Sequence, residues 1–247
     1  MERSESKIPF VNLHGHSVAG SLFDAIGYPE EHMDFAYQNG CDALALTDHG
    51  NMNGLSYQVL HAKKMQAEGK DFKPIFGVEA YFNPSIDDWQ VAYDEDKENR
   101  KKKDEDNSLS VEDEAASKKA IWSVLNRRRH LILLAQNEKG LENLFKLVSK
   151  SYKRPNFFKY PRVDYALLKE HSEGVIAASA CLGGVYAGCL WENREEGEEA
   201  VLNAMREVTE KMVDIFGDRW YGELQWNNVP EQHELNKYII QMHKEYG

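Results

Sequence analysis

Six short apolar runs set the frame of this chain: "IPFVNL", "DALALT", "KPIFGVEAYF", "HLILLA", "GVIAAS" and "WYGELQW". Amphipathic stretches lie between them. "PEEHMDFAYQNG" carries Pro29, Glu30 and Glu31 at its start and Gly40 at its end, the chemistry of a helix start and stop. "NEKGLENLFKLVSKSY" repeats Leu141, Leu144, Phe145 and Val148 at helical spacing. Residues 194–216 and 230–246 read as long helices. Strand and helix in alternation predict an α/β fold, a parallel sheet with helices outside it. The candidates are a doubly wound sheet and a barrel of the TIM kind, and the short connections favour the barrel.

Residues 86–120 break the pattern with "DEDKENRKKKDEDNSLSVEDEAASKK". So little apolar surface cannot offset the entropy of ordering. The segment reads as an exposed, mobile insertion between the third and fourth strands, with a solvated charged helix as the alternative. No repeat or linker divides the 247 residues, so 1–247 reads as one domain.

Charge and cysteine usage exclude some classes. The net charge of -11 argues against broad, nonspecific nucleic-acid binding but leaves room for a local basic groove. Three irregularly spaced cysteines, Cys41, Cys181 and Cys189, do not make a disulfide framework and point to a reducing, cytoplasmic location. No apolar run approaches the roughly 20 residues of a membrane span.

In parallel α/β folds, function gathers where strands end. The first run ends in His14 and His16, which a period of two places on one face. The second delivers Asp48 and His49, the third Glu79 from within an apolar segment, the fifth Cys181. Histidine, carboxylate and cysteine are the ligand set of zinc, and of manganese or iron where carboxylates dominate. Each residue also has a plainer reading. Asp48 could cap the helix that follows, Glu79 could pair with a lysine, and Cys181 could be a small core residue. The coincidence at strand after strand favours a metal site, because buried charges need partners or an ion. His130 does not fit, since it stands at the beginning of "HLILLA" rather than its end.

Several blocks, "FVNLHGHS", "ALALTDHGNMNG", "KPIFGVEAY", "HLILLAQNEKGLENLFKLVSKSY", "PRVDYALLKEHSEGVIAASACLGG" and "YGELQWNNVPEQHELNK", resemble the PHP (polymerase and histidinol phosphatase) domain of bacterial replicative DNA polymerase III alpha subunits. The resemblance runs from about Pro9 to Gly247, the charged insertion excepted. It implies a distorted (βα)7 barrel with two or three divalent ions, zinc or manganese, at its C-terminal face. Carried over residue by residue, the ligands fall on His14, His16, Asp24, His49, Glu79, His130 and Cys181. Asp24, in "LFDAIG", comes one residue later than usual, Asp48 orients from behind, and Glu79 bridges two ions. The family's last motif, an Asp and a His two apart on a seventh strand, is absent from these 247 residues, so an incomplete barrel of about six strands is expected. His233 or His243 of the last helix could close the site instead.

The implied function is that of a PHP module in DNA replication. It would perform metal-dependent phosphoester hydrolysis, with the 3′ end of a DNA strand as candidate substrate in a 3′–5′ proofreading exonuclease. The polymerase carboxylates lie beyond this length. Partners would be DNA, the rest of a polymerase as continuation or separate chain, and other replisome subunits, with no membrane. Two alternatives remain open: a structural domain that supports the polymerase or docks a separate exonuclease, and a free-standing PHP phosphatase. The blocks around "NEKGLENLF" and "PRVDY" weigh against the last.

Overall fold

The computed structural model describes Ser4, residues 10–105 and residues 125–247. In chain order its elements are α1 (Pro29–Gln38), β1 (Ala43–Leu46), α2 (Leu55–Ala67), β2 (Lys73–Phe82), α3 (Ile86–Glu105), β3 (Arg129–Ala135) and α4 (Glu138–Ser151). There follow β4 (Phe157–Phe158), β5 (Tyr160–Val163), α5 (Tyr165–Glu170), β6 (Val175–Ala178), α6 (Val185–Asn193), α7 (Glu198–Phe216), β7 (Trp220–Tyr221) and α8 (Pro230–Tyr246). The strands form one mixed sheet in the order β4-β5-β2-β3-β6-β7, with β1 beside the first half of β2.

The sheet is not wholly parallel, as the alternation had predicted. β1, β5 and β2 run together, as do β6 and β7, but β3 is antiparallel to both β2 and β6. The chain leaves β2 at Phe82 and re-enters the sheet opposite it at Arg129. It returns at the end it left, which requires an antiparallel pair rather than a crossover. The beginning of β3 therefore lies beside the far ends of its neighbours.

A period of two sorts the strand residues onto two faces. Val78, Ala80, Phe82, Leu131, Leu133, Val175 and Ala177 point outward and share a buried cluster with Leu144 and Leu147 of α4 and Met212 and Phe216 of α7. Inward-facing Ile132 and Leu134 pack with Ala45 and Ala180 in a smaller cluster, joined by Ile75, Ile176 and Ala178. Glu79 and Tyr81 alternate with Val78 and Ala80, and His130 with Leu131, so all three share this inner face.

The sheet stays open. Among the described residues no backbone ladder joins 10–14 to 221–226, and a cavity of about 1040 Å³ lies between them. Its walls include inward-facing Ile75, Ile132, Leu134 and Ile176. At its mouth Phe10, Leu13, Leu224 and Trp226 are exposed.

Four further expectations are revised. "IPFVNL" does not make a strand over its described residues, because Asn12 alone bridges to Leu44. "WYGELQW" is a strand only over its first two residues; Gly222 then passes so close to α8 that an added Cβ would lie 2.6 Å from Ile239. The helix read over 194–216 is interrupted at Gly197, whose φ of +100° no right-handed helix accepts. The charged segment begins as a packed helix: α3 buries Ile86 and Trp89, and the Trp89 indole N–H donates to the Leu125 carbonyl. The rest of that predicted insertion, 106–120, falls outside the described residues. No helix among the described residues is long and apolar enough to cross a membrane.

Candidate metal centre

The loop "HGHSVAGSLFDAIG" is held by a carboxylate. Asp48 accepts hydrogen bonds from the Ser17 backbone N–H, the Ser17 hydroxyl and the Ser21 hydroxyl at 2.7, 2.8 and 2.9 Å. The Ser21 oxygen accepts from the His49 N–H at 3.0 Å. Asp48 is thus consumed in fixing the loop that carries His14, His16 and Asp24, and it reaches His49 only through Ser21. Two backbone bonds lock His49 beside Glu79: Glu79 N–H donates to the Asp48 carbonyl, and Gly50 N–H to the Glu79 carbonyl. Gly50 has φ +66°, and a Cβ there would lie 2.7 Å from Pro161, so only glycine lets this turn approach β5.

Antiparallel β3 settles the awkward position of His130. Its first inward residue lies level with Tyr81, at the end of β2. Cys181 follows Ala180, whose φ of +60° is rare for a residue with a side chain. The turn then folds back so tightly that a Cβ on Gly184 would lie 2.0 Å from the Ser179 carbonyl oxygen. Cys181 Sγ sits 3.6 Å from His130 Nδ1 and 3.9 Å from Glu79 Oε1.

Everything converges on Glu79, which is fully buried. Its Oε2 lies 2.6 Å from His16 Nε2, 3.2 Å from His14 Nε2 and 3.2 Å from His49 Nδ1. Its Oε1 lies 2.8 Å from His130 Nδ1. Two of these rings also face a second carboxylate. His14 Nδ1 is 2.7 Å from Glu223, and His49 Nε2 is 2.6 Å from Asp24. Asp24, despite its offset in sequence, therefore reaches the group. Six of the seven predicted ligands fall into metal-competent groups; Cys181 lies beside His130 and Glu79 but, like His233 and His243, belongs to no such group among the described residues.

Glu223 was not foreseen. The signal was available: an acid within an apolar run, as at Glu79, in "WYGELQW". The Ser179 hydroxyl oxygen accepts its backbone N–H, and Gln225 donates to its carboxylate.

A neutral imidazole has one N–H and one lone pair. His14 and His49 present both nitrogens to carboxylates, so each needs either a second proton or a cation in its place. Burial would lower the pKa of His14, but hydrogen bonds to Glu223 and Glu79 outweigh it and lift the group to about 10. Burial likewise opposes charge on His130, while Cys181 and Glu79 raise it to about 9. For His49 burial prevails and the pKa falls. Burial would raise Glu79, but His130, His14 and His16 hold it far below the usual carboxylate range. His49 Nδ1 is buried without a hydrogen bond although it faces Glu79. Such an orphaned nitrogen, in a nest of carboxylate oxygens, fits a divalent cation. The groups able to hold one are His14–His16–Glu79, His16–Asp24–His49 and His49–Glu79–His130, and they share members.

The PHP domain family matches residues 12–227. The chain is 37% identical to the DNA polymerase III subunit alpha of Aquifex aeolicus (strain VF5) over 237 residues, 96% of this chain and 17% of that protein. It is 32% identical to the DNA polymerase III subunit alpha of Thermus aquaticus over 244 residues, 98% of this chain and 17% of that protein. The chain thus spans about a sixth of the length of these curated relatives. Among solved structures, one from Bifidobacterium adolescentis covers 95% of this chain and 84% of its own at 11% identity, with a TM-score of 0.45, too distant to argue from.

Proposed function

Since this chain belongs to the PHP domain family, we propose that it is the PHP module of a DNA polymerase III alpha-like protein and hydrolyses phosphoesters with two or three divalent ions, zinc or manganese. The observation that carries this reading is Glu79, buried among four imidazoles and a thiol, two of the imidazoles turned to further carboxylates. The ions would draw their ligands from three overlapping groups: His14, His16 and Glu79; His16, Asp24 and His49; and His49, Glu79 and His130, with each shared neutral imidazole serving one ion. Bound there, such ions supply Lewis-acid activation of a phosphoryl oxygen and of water. The residues supply the rest. Glu79 provides an oxygen to neighbouring positions, Asp48 keeps the His14–Asp24 loop in place, and Cys181 offers a soft ligand beside His130. The candidate substrate is the 3′ end of a DNA strand.

The test pairs metal content, measured by mass spectrometry after loading with manganese or zinc, with degradation of a 3′-labelled single strand. Wild type should bind metal and shorten the strand at most weakly, as expected with the family's last motif absent, and His14→Ala with His16→Ala should do neither. Unchanged metal content in that double variant would end the assignment.

A second reading draws on the open sheet. The cavity between 10–14 and 221–226 has the makings of a docking site for a further strand, from a continuation or from a separate polymerase chain, with other replisome subunits beyond it. In that reading the domain supports or docks rather than hydrolyses. Metal binding without any strand cleavage would favour it.

A further inference from the structure

One rim of the cluster is basic and aromatic in a chain whose net charge is -11. Arg127, Arg128 and Arg129 lead into His130, and they divide by what they face. Arg127 and Arg129 both turn to Glu192. Arg128 lies on the same side as His130 and is exposed, with no carboxylate of the described residues at ion-pair distance. Its guanidinium carbon sits 3.9 Å from the ring centroid of Tyr160 and 5.5 Å from that of Tyr81. Tyr81 is the link to the cluster. Its ring lies parallel to the His49 imidazole, 5.7 Å away at 3°, and 5.6 Å from the ring of His130. Tyr160 meets Tyr81 edge to face at 5.4 Å.

The backbone is built to present this rim. β4 and β5 form a hairpin whose single turn residue, Lys159, takes φ +60°. That backbone is uncommon for a residue with a side chain, and the turn places Lys159 and Tyr160 at the surface. Arg154 and Lys159 each lie 5.8 Å from the ring of Phe158. Arg128, Tyr160 and Tyr81 thus stand together beside the cluster, while Arg154 and Lys159 flank Phe158 of the same hairpin. Cations alone would suit any phosphate. Exposed aromatic faces beside them suit a polyanion whose units stack.

We propose that Arg128, Tyr160 and Tyr81 form a binding platform for single-stranded DNA, with a base stacked against the Arg128–Tyr160 pair and a backbone phosphate held by Arg128. This deepens the hydrolytic reading above by naming what would hold the strand, but its test is independent of chemistry. The full 247-residue chain is titrated in EDTA against a short 5′-fluorescein single strand, followed by anisotropy, so that neither metal nor cleavage contributes.

Tyr160→Ala should weaken binding about tenfold, while Tyr160→Phe, which keeps the stacking face, should bind as wild type. Arg128→Gln should weaken binding by a similar factor and lower the salt slope by about one ion. A strand with an abasic 3′ end should bind wild type more weakly, with little further loss on Tyr160→Ala, because both changes remove one contact. Circular dichroism and melting temperature keep the comparison to folded variants. Binding that is absent in wild type, unchanged in folded Arg128→Gln and Tyr160→Ala, or indifferent to the missing base overturns the platform. If binding follows the expected pattern but the chain neither loads metal nor cleaves, the platform stands and the hydrolytic reading falls.

Discussion

Glu79 shows why a side chain unwelcome in a core can be indispensable there. An isolated buried carboxylate would be too costly. Here four imidazole nitrogens lie within 3.2 Å of its two oxygens. Removing the charge alone, by Glu79→Gln, should abolish most metal loading, and added manganese should no longer raise the melting temperature; mass spectrometry and calorimetry check both. The imidazoles also set a pH response. In the metal-free chain the folded pKa values of His14 and His130, about 10 and about 9, exceed the ordinary 6.5. Their stabilisation is therefore full below about pH 6.5 and is lost as pH rises through the folded values. Thermal melts of metal-free protein should fall by several degrees between neutral pH and pH 10. With metal in the protons' place the decline should shrink, since metal affinity grows as ligands deprotonate. A metal-free melting temperature that climbs over this interval would contradict the assignment.

At the scale of elements, α3 is the instructive case. Its composition is that of a solvated segment, yet its first turn inserts Trp89 beneath Arg162, whose guanidinium carbon lies 3.9 Å from the indole. Arg162 in turn donates to the carbonyls of Asn156 and Pro155, which fixes the approach to the β4–β5 hairpin. Trp89→Ala should cost about 3–5 kcal/mol, as for other fully buried aromatic side chains, visible as a lower midpoint in urea. Lys101→Ala, on the exposed part of the same helix, should stay within about 0.5 kcal/mol of wild type. A deletion meant to remove only the charged segment should accordingly start after Tyr93, which stacks on Trp89 and packs against Phe158.

For the whole molecule the open sheet is the feature with consequences. An apolar cavity of about 1040 Å³ with Phe10 and Trp226 exposed at its mouth leaves a large hydrophobic surface in water, and surfaces of that kind mark interaction sites or drive association. The chain alone should bind the dye ANS and self-associate, as read by fluorescence and light scattering. Phe10→Asp with Trp226→Asp should reduce both while metal content holds, because neither residue belongs to the metal-competent groups. A wild-type monomer that ignores the dye would mean that the cavity is covered in solution.

The amino-acid sequence by itself determined the alternation of strand and helix, the side-chain types of the candidate metal centre, and the helices of residues 138–151 and 230–246. These rest on local periodicity and on side-chain chemistry that any fold must satisfy. His14, His16, His49 and Glu79 could be singled out because each ends or interrupts an apolar run. Only the tertiary structure decided the direction of β3, and with it why His130 belongs with them, because strand pairing joins residues far apart in the chain. The partner of Glu223 and the Arg128–Tyr160 stack were hidden for the same reason: Glu223 interrupts an apolar run as Glu79 does, but 209 residues separate it from His14, and no local pattern records a contact that the sheet alone creates.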